Sequence, residues 1–253
     1  IGSAFLGGII FNASNILLSA AIAICGMSVA FPVGVGLALV LGVLINYFGA
    51  AKGDPLFIFL GVALIAAAIV MNGLAYRMAR TGKRKLTAKG LLISVAAGMI
   101  MAFFYRFVAS SMDLDSFTAP AAGKMTPYTA VVVFATGVFV SNFLFNTIAM
   151  KCPVEGTPVR PSEYFGGTFR THLVGMLGGA IWCLGESFSM IASGKAGAAI
   201  SYGLGQGATL VSALWGILIW KEFRGAPGAS VLCNAGMFVL FLAGLGLLIY
   251  AGA

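Results

Sequence analysis

The chain has 253 residues, 60% of them hydrophobic and 9% charged, with a mean hydropathy of +1.02 and a formal net charge of +8. A soluble globular chain carries about a quarter charged residues, so water is not the main solvent of this one. The basic residues gather in short stretches beside apolar runs, which fits orientation in a membrane and argues against nucleic acid as a partner.

A bilayer-spanning helix needs about 20 mostly apolar residues. In chain order, the apolar runs predict spans at 3–25, 27–48, 55–75, 89–111, 127–150, 171–192, 196–220 and 229–250. The expected fold is therefore an all-α membrane protein, a polytopic helical bundle forming a single transmembrane domain. Only the segments 77–89, 111–126 and 151–170 are longer connections, which leaves no extramembrane domain for a soluble active site. Many of the 35 glycines lie inside apolar runs such as GVGLALVLG, where small residues let helix backbones approach closely. Cys25, Cys152, Cys183 and Cys233 have neither zinc-site spacing nor disulfide density and are expected as free thiols. Ile1 in place of a methionine, with no signal-peptide pattern, leads us to expect a further segment upstream.

Eight spans alternate sides, and the Lys and Arg residues divide unequally between them. One side has Arg77, Arg80, Lys83, Arg84, Lys85, Lys89, Lys151, Arg160, Arg170, Lys221 and Arg224, against Lys52, Lys124 and Lys195 on the other. The first side is expected to be cytoplasmic, with both chain ends outside a plasma membrane.

An internal repeat appears at an offset of 171 residues, which lays CGMSVAFPVGVGLALV from Cys25 over AGAAISYGLGQGATLV from Ala196. Gly26, Gly34, Gly36, Leu39 and Val40 then match Gly197, Gly205, Gly207, Leu210 and Val211, with Phe31 facing Tyr202. Loop counting gives the two copies opposite directions across the membrane. Inverted repeats are a recurring plan of secondary transporters, with the solute site near the midplane where interrupted helices meet.

Ionisable groups inside spans are costly, and two fall there: Arg106 and Glu186. Counting from the start of each helix puts both roughly 25 Å from the inner boundary, close enough in depth to meet. They are expected either to pair and hold two helices together, or to serve transport, with Glu186 as a solute acceptor or protonatable coupling group and Arg106 tuning it. Further polar candidates for a hydrogen-bonding solute are Asn15, Asn142, Asn146, Ser201, Tyr202, Gln206 and Thr209, which equally suit interhelical packing bonds. Trp182 and Trp215 offer stacking surfaces. Pro32 and Gly34 in FPVGVG, and Gly203, Gly205 and Gly207 in GLGQG, are candidate hinges. GLGQG follows no strand and lacks the Lys-Ser/Thr continuation of a phosphate loop. His172 stands at a helix start, and Asp54, Asp113, Asp115, Glu155, Glu163 and Glu222 lie in loops, so no catalytic constellation, metal site or cofactor is expected.

Two stretches, Phe5 to Tyr47 and Ala199 to Gly225, resemble the Drug/Metabolite Transporter superfamily, in its glucose/ribose/rhamnose uptake and ureide permease-like branch. The second stretch ends in Trp220-Lys221-Glu222-Phe223, a pattern that typically closes the ninth helix in that superfamily. The resemblance implies ten helices in two inverted repeats of five, so that the spans here are the third to tenth. Residues 1–75 would then finish the first repeat, 76–88 form a basic cytoplasmic loop, and 89–253 form the second repeat. It also implies a central cavity lined by the helices holding Asn15, Phe31, Glu186, Tyr202 and Gln206. Plant ureide permeases have a long central loop with a Walker-like motif, which the short basic segment here does not reproduce. The expected function is transport rather than catalysis: a small polar solute, sugar or ureide-like, moved by alternating access, with proton symport through Glu186 and a homodimer as compatible features. The rival expectations are an exporter of amphipathic drugs or amino acids, and a non-transporting scaffold subunit.

Overall fold

The structure, a computed structural model, describes residues 1–79, 87–117 and 119–252. Its elements are helices: α1 (Gly2–Cys25), α2 (Met27–Ala30), a π-helical turn (Phe31–Val35), α3 (Gly36–Gly49), α4 (Pro55–Ala79), α5 (Ala88–Ser111), α6 (Pro127–Lys151), α7 (Pro161–Phe165), α8 (Phe169–Ala196), α9 (Ala198–Gly205), α10 (Ala208–Leu218) and α11 (Gly228–Ala251). Seven of the described helical stretches are long and apolar enough to cross a membrane, with Met27–Gly49 continuous through its π turn. The chain is a polytopic all-α membrane protein. Most of the expected basic loop, residues 80–86, lies outside the described residues.

Helix starts follow local chemistry. Thr87, Thr126 and Thr168 each accept a bond from the backbone amide three residues on, at 3.1, 3.2 and 3.3 Å, which satisfies one orphan donor per helix. Pro127 occupies the first turn of α6, where its missing N–H costs nothing.

The expected continuous span 196–220 is broken. Gly203, Gly205 and Gly207 fall within five residues and lower helix stability by about 1 kcal/mol each relative to alanine. At Gln206–Gly207 the amides turn to tighter partners, Gly207 to the Leu204 carbonyl at 2.9 Å and Leu210 to that of Gly207 at 3.1 Å. Pro32, by contrast, does not break its helix. It cannot donate, and the chain widens into a π turn in which the Gly36 amide reaches back to the Phe31 carbonyl.

Small residues set the close contacts. Gly7 meets Val108 and the Phe104 carbonyl of α5, while Gly8 meets Gly137 and the Phe134 and Val138 backbone of α6. Asn12 stitches the same seam, donating to Ser141 Oγ at 3.0 Å. Gly61 and Gly244 bring α4 onto α11, where Ser230 donates to the Ala75 carbonyl at 2.6 Å.

The 171-residue offset reappears in the backbone. Gly26, between α1 and α2, has φ 87° and ψ 164°; Gly197, between α8 and α9, has φ 86° and ψ 157°. This left-handed, extended conformation suits glycine alone, so each copy turns its corner on the same residue in the same geometry. The copies differ in burial: α1 is buried along one side from Ala4 to Cys25, whereas in α8 only Met190 and Ser193 are buried.

The α5–α6 loop is tied by Asp113, whose carboxylate accepts from the amides of Ala121, Asp115 and Ser116 at 2.9, 3.0 and 3.1 Å. Those backbone bonds, helped by the nearby Lys124 ammonium, hold its pKa below the usual carboxylate range. A depressed folded-state pKa means that the ordering is full above the unfolded value of about 3.9 and is lost as pH falls through the lower folded value. Asp113→Asn should therefore remove the acid sensitivity and raise hydrogen exchange across 112–125 at neutral pH without affecting α5 or α6. Unchanged exchange in that loop would contradict the tether.

Candidate polar site between α5, α8 and α9

One face of α8 turns toward the bundle, presenting Trp182, Glu186, Ser189, Met190 and Ser193 at helical steps of one turn. Met190 and Ser193 are fully buried. Gly197 folds the chain back so that Ser189 donates to the Ser201 carbonyl of α9 at 3.1 Å. From α5, Tyr105 donates its hydroxyl to the Ser189 carbonyl at 3.1 Å. From α9, Tyr202 donates to the Ala38 carbonyl of α3 at 3.0 Å, its ring lying where a Cβ on Gly42 would sit. The two tyrosine rings are 5.4 Å apart.

Glu186 lies one turn before Ser189, which meets Tyr105 through its carbonyl and the residue before Tyr202 through its hydroxyl. The Oε1 of Glu186 is buried and accepts no hydrogen bond, and the buried hydroxyls of Ser201 and Thr209 also have no partner. Buried acceptors normally find a donor, which makes the unpartnered carboxylate oxygen of Glu186 a candidate contact for a hydrogen-bonding solute.

One turn before Glu186, Trp182 stacks on Phe11 of α1 with ring centroids 4.6 Å apart and planes 22° apart, and it also faces Phe134 at 6.1 Å. Phe104 joins Phe11 and Phe134 to Tyr202. Phe11 and Trp182 are related by the 171-residue offset, as are Asn15 and Glu186.

Not every expected residue joins this cluster. Arg106 does not pair with Glu186; its guanidinium lies over Gly49 at the end of α3. A single residue step turns about 100° around a helix, so Tyr105 faces inward while the half-buried Arg106 does not. Asn15, Asn142 and Asn146 are exposed on α1 and α6, and Trp215 is exposed on α10. The buried polar link between α1 and α6 is Asn12. Phe31 and Gln206 are half-buried, the latter at the α9–α10 break. Sequence reasoning missed Tyr105, Ser189 and Phe11. The repeat carried a signal for Phe11 through its alignment with Trp182; Tyr105 stood beside a more conspicuous arginine.

Comparison with known proteins agrees with a membrane permease. The ureide permease family matches residues 73–251. Ureide permease 2 of Arabidopsis thaliana is 24% identical over 168 residues, which cover 66% of this chain and 42% of that protein. Ureide permease 1 of the same plant is 24% identical over 165 residues, covering 65% and 42%. The chain thus spans less than half the length of the curated relatives it matches. No solved structure matches it. The matched region includes the Ala199 to Gly225 stretch and runs from the end of α4 through α11, so this chain belongs to the ureide permease family.

Proposed function

We propose that this chain is part of a secondary transporter that carries a small, planar, ureide-like solute across the plasma membrane by alternating access. The observation that carries the reading is the buried, unpartnered Oε1 of Glu186, one turn from a stacked aromatic pair. A ureide is flat and bears N–H groups flanked by carbonyls. Its N–H groups would donate to Glu186, its carbonyls would accept from the unpartnered hydroxyls of Ser201 and Thr209, and one face would lie against Trp182, which is 40% exposed. A carboxyl so placed can also take up a proton, which makes Glu186 the candidate for proton coupling. The excess of Lys and Arg at the Arg77, Lys151 and Lys221 end assigns that face to the cytoplasm.

Binding of cyclic ureides such as hydantoin and uracil, measured by thermal shift of the full-length protein, should raise its melting temperature. Glucose and ribose should not. A shift with sugars alone would replace the ureide by a sugar, selective binding of lipophilic cations would favour the exporter, and liposomes that move no solute would favour the scaffold. Trp182→Ala should raise the KM for hydantoin uptake up to about tenfold through loss of one stacking face; an unaltered KM would remove Trp182 from the site.

The same reading holds that the bundle is built from inverted repeats of the Drug/Metabolite Transporter type, with two helices beyond those described covering α8. Gly7 and Gly8 of α1 seat α5 and α6; their repeat equivalents on α8, Gly178 and Gly179, have open space around them. The exposed apolar side chains Val174, Leu177, Ile181 and Leu184 continue that uncovered surface.

A further inference from the structure

Two charged contacts stand at opposite ends of the bundle and the proposed solute site uses neither. At one end the chain leaves α10 through Trp220 and Lys221 and turns back. Lys221 holds φ 54°, a left-handed conformation unusual for any residue but glycine. The turn delivers Glu222 to the start of the Met27–Gly49 helix. Its Oε1 accepts from the Met27 amide at 3.1 Å, its Oε2 from the Ser28 amide at 3.0 Å, and the Ser28 hydroxyl also donates to Oε2. Gly26 and Gly216 leave the space: a Cβ on Gly26 would lie 2.9 Å from Glu222, and one on Gly216 3.0 Å from Ser28. Phe223 anchors the turn by burial beside Ala75, Ala79 and Tyr76.

At the other end, the chain leaves α3 and passes Lys52. Its ammonium donates to the Gly194 carbonyl in the last turn of α8 at 2.7 Å, and its stem lies over Gly197. The 171-residue offset carries Lys52 to position 223, next to Glu222, and Gly197 to Gly26. The two contacts are therefore counterparts and not copies: each comes from the segment after α3 or α10 and meets the glycine corner of the other stretch, Glu222 on the residues after Gly26 and Lys52 on a residue before Gly197. Their charges are opposite for a physical reason. Glu222 meets free amides at a helix start, where the macrodipole favours an anion; Lys52 meets a carbonyl at a helix end, where it favours a cation.

We propose that Glu222 and Lys52 are paired latches, one at each membrane face, and that opening the path to one side releases one while the other holds. The inference rests on the alternating-access reading and adds the residues that close each side. Each latch joins the segment after the last helix of one half-hairpin to the corner glycine of the other repeat. Of the two latches, separating α10 from α2 thus breaks the one at Glu222 and leaves the one at Lys52, and separating α3 from the α8–α9 corner does the reverse. A carboxylate on two amides and a hydroxyl, and an ammonium on one carbonyl, are strong enough to hold a closed state and few enough to be released.

The test uses the full-length protein with its native cysteines replaced and one buried reporter at a time: Ala213→Cys on α10, or Ala198→Cys at the start of α9. Both positions are buried in the closed arrangement. Labelling by a membrane-impermeant maleimide is followed from each side in the absence of solute. Glu222→Ala should speed labelling of the Ala213→Cys reporter about tenfold or more from the Lys221 side, the scale expected for losing bonds to a charged group, and should slow labelling of the Ala198→Cys reporter. Lys52→Met, which keeps the stem over Gly197, should do the reverse. Should Glu222→Ala fail to fold, Glu222→Gln serves in its place, because its amide NH2 faces a backbone donor and still releases the latch. Faster labelling of both reporters together would show general loosening and overturn the proposal, as would unchanged labelling in folded variants. Since no solute is present, either result leaves the ureide reading to be judged by its own binding experiment.

Discussion

Glu186→Gln is expected to abolish solute flux while the protein remains folded in the membrane. Glutamine keeps the shape of the side chain but replaces one acceptor oxygen by a donor and removes the charge. A ureide N–H that met the carboxylate would lose a bond to a charged group, about 1.5–3 kcal/mol and thus roughly 10- to 100-fold in affinity. If Glu186 carries the coupling proton as well, active accumulation stops altogether even where binding survives. Stability should hold or rise, since the substitution removes a carboxylate whose Oε1 is buried without a partner. Arg106→Gln is the matching control: its guanidinium lies over Gly49 and not beside Glu186, so flux should change little. Uptake of labelled hydantoin into proteoliposomes, with and without a proton gradient, measures both variants. Wild-type uptake by Glu186→Gln would remove the residue from the mechanism, and loss of uptake in Arg106→Gln alone would shift the polar centre to the other helix.

The second large effect concerns packing. Gly8→Leu places a side chain against the Phe134 carbonyl, the Val138 amide and the Gly137 Cα, all backbone atoms that no rotamer change can move aside. Overpacking of this kind costs about 1–3 kcal/mol in ordinary cores and more where backbone must shift, so α1 should part from α6 and the thermal transition should fall by several degrees or be lost. Gly179→Leu has the opposite character in the helices described, since nothing lies within 4 Å of a Cβ there. Were α8 covered as α1 is, Gly179→Leu would be as damaging as Gly8→Leu in the full-length protein and harmless in the 253-residue chain. Equal tolerance in both settings would leave α8 facing lipid and would withdraw the two covering helices. The comparison needs only fluorescence-monitored melting in detergent.

Much of the fold was legible because a membrane imposes one requirement that composition records directly: long uninterrupted apolar helices. The boundaries at Cys25, Ser111 and Lys151 fall within a residue of those expected, since Gly26 and the polar loop chemistry beyond the other two leave little choice. The break at Gln206–Gly207 was legible as a weak point but not as a full interruption, because helix propensity gives a cost and not an outcome. For the site, the sequence supplied depth but not direction. Glu186 and Tyr202 were conspicuous as polar groups in apolar runs, and both lie in the cluster. Arg106, Asn15, Asn142 and Asn146 were equally conspicuous and lie outside it, because the azimuth of a side chain depends on which neighbours its helix meets. Those neighbours were chosen by Gly7, Gly8, Gly98 and Gly137, whose role emerges only when two backbones are seen to touch.

The stacked rings of Phe11 and Trp182 have a mechanical consequence. If the proposed alternating access is a rocking of two halves about an axis passing by these rings, points near that axis travel least and points far from it sweep the widest arcs. The ring pair then behaves as a fulcrum, staying in contact through the cycle while the distant corners at Gly26 and Gly197 swing. Bulk or charge introduced at the fulcrum should stall motion in both directions alike, whereas damage at either corner should bias it toward one.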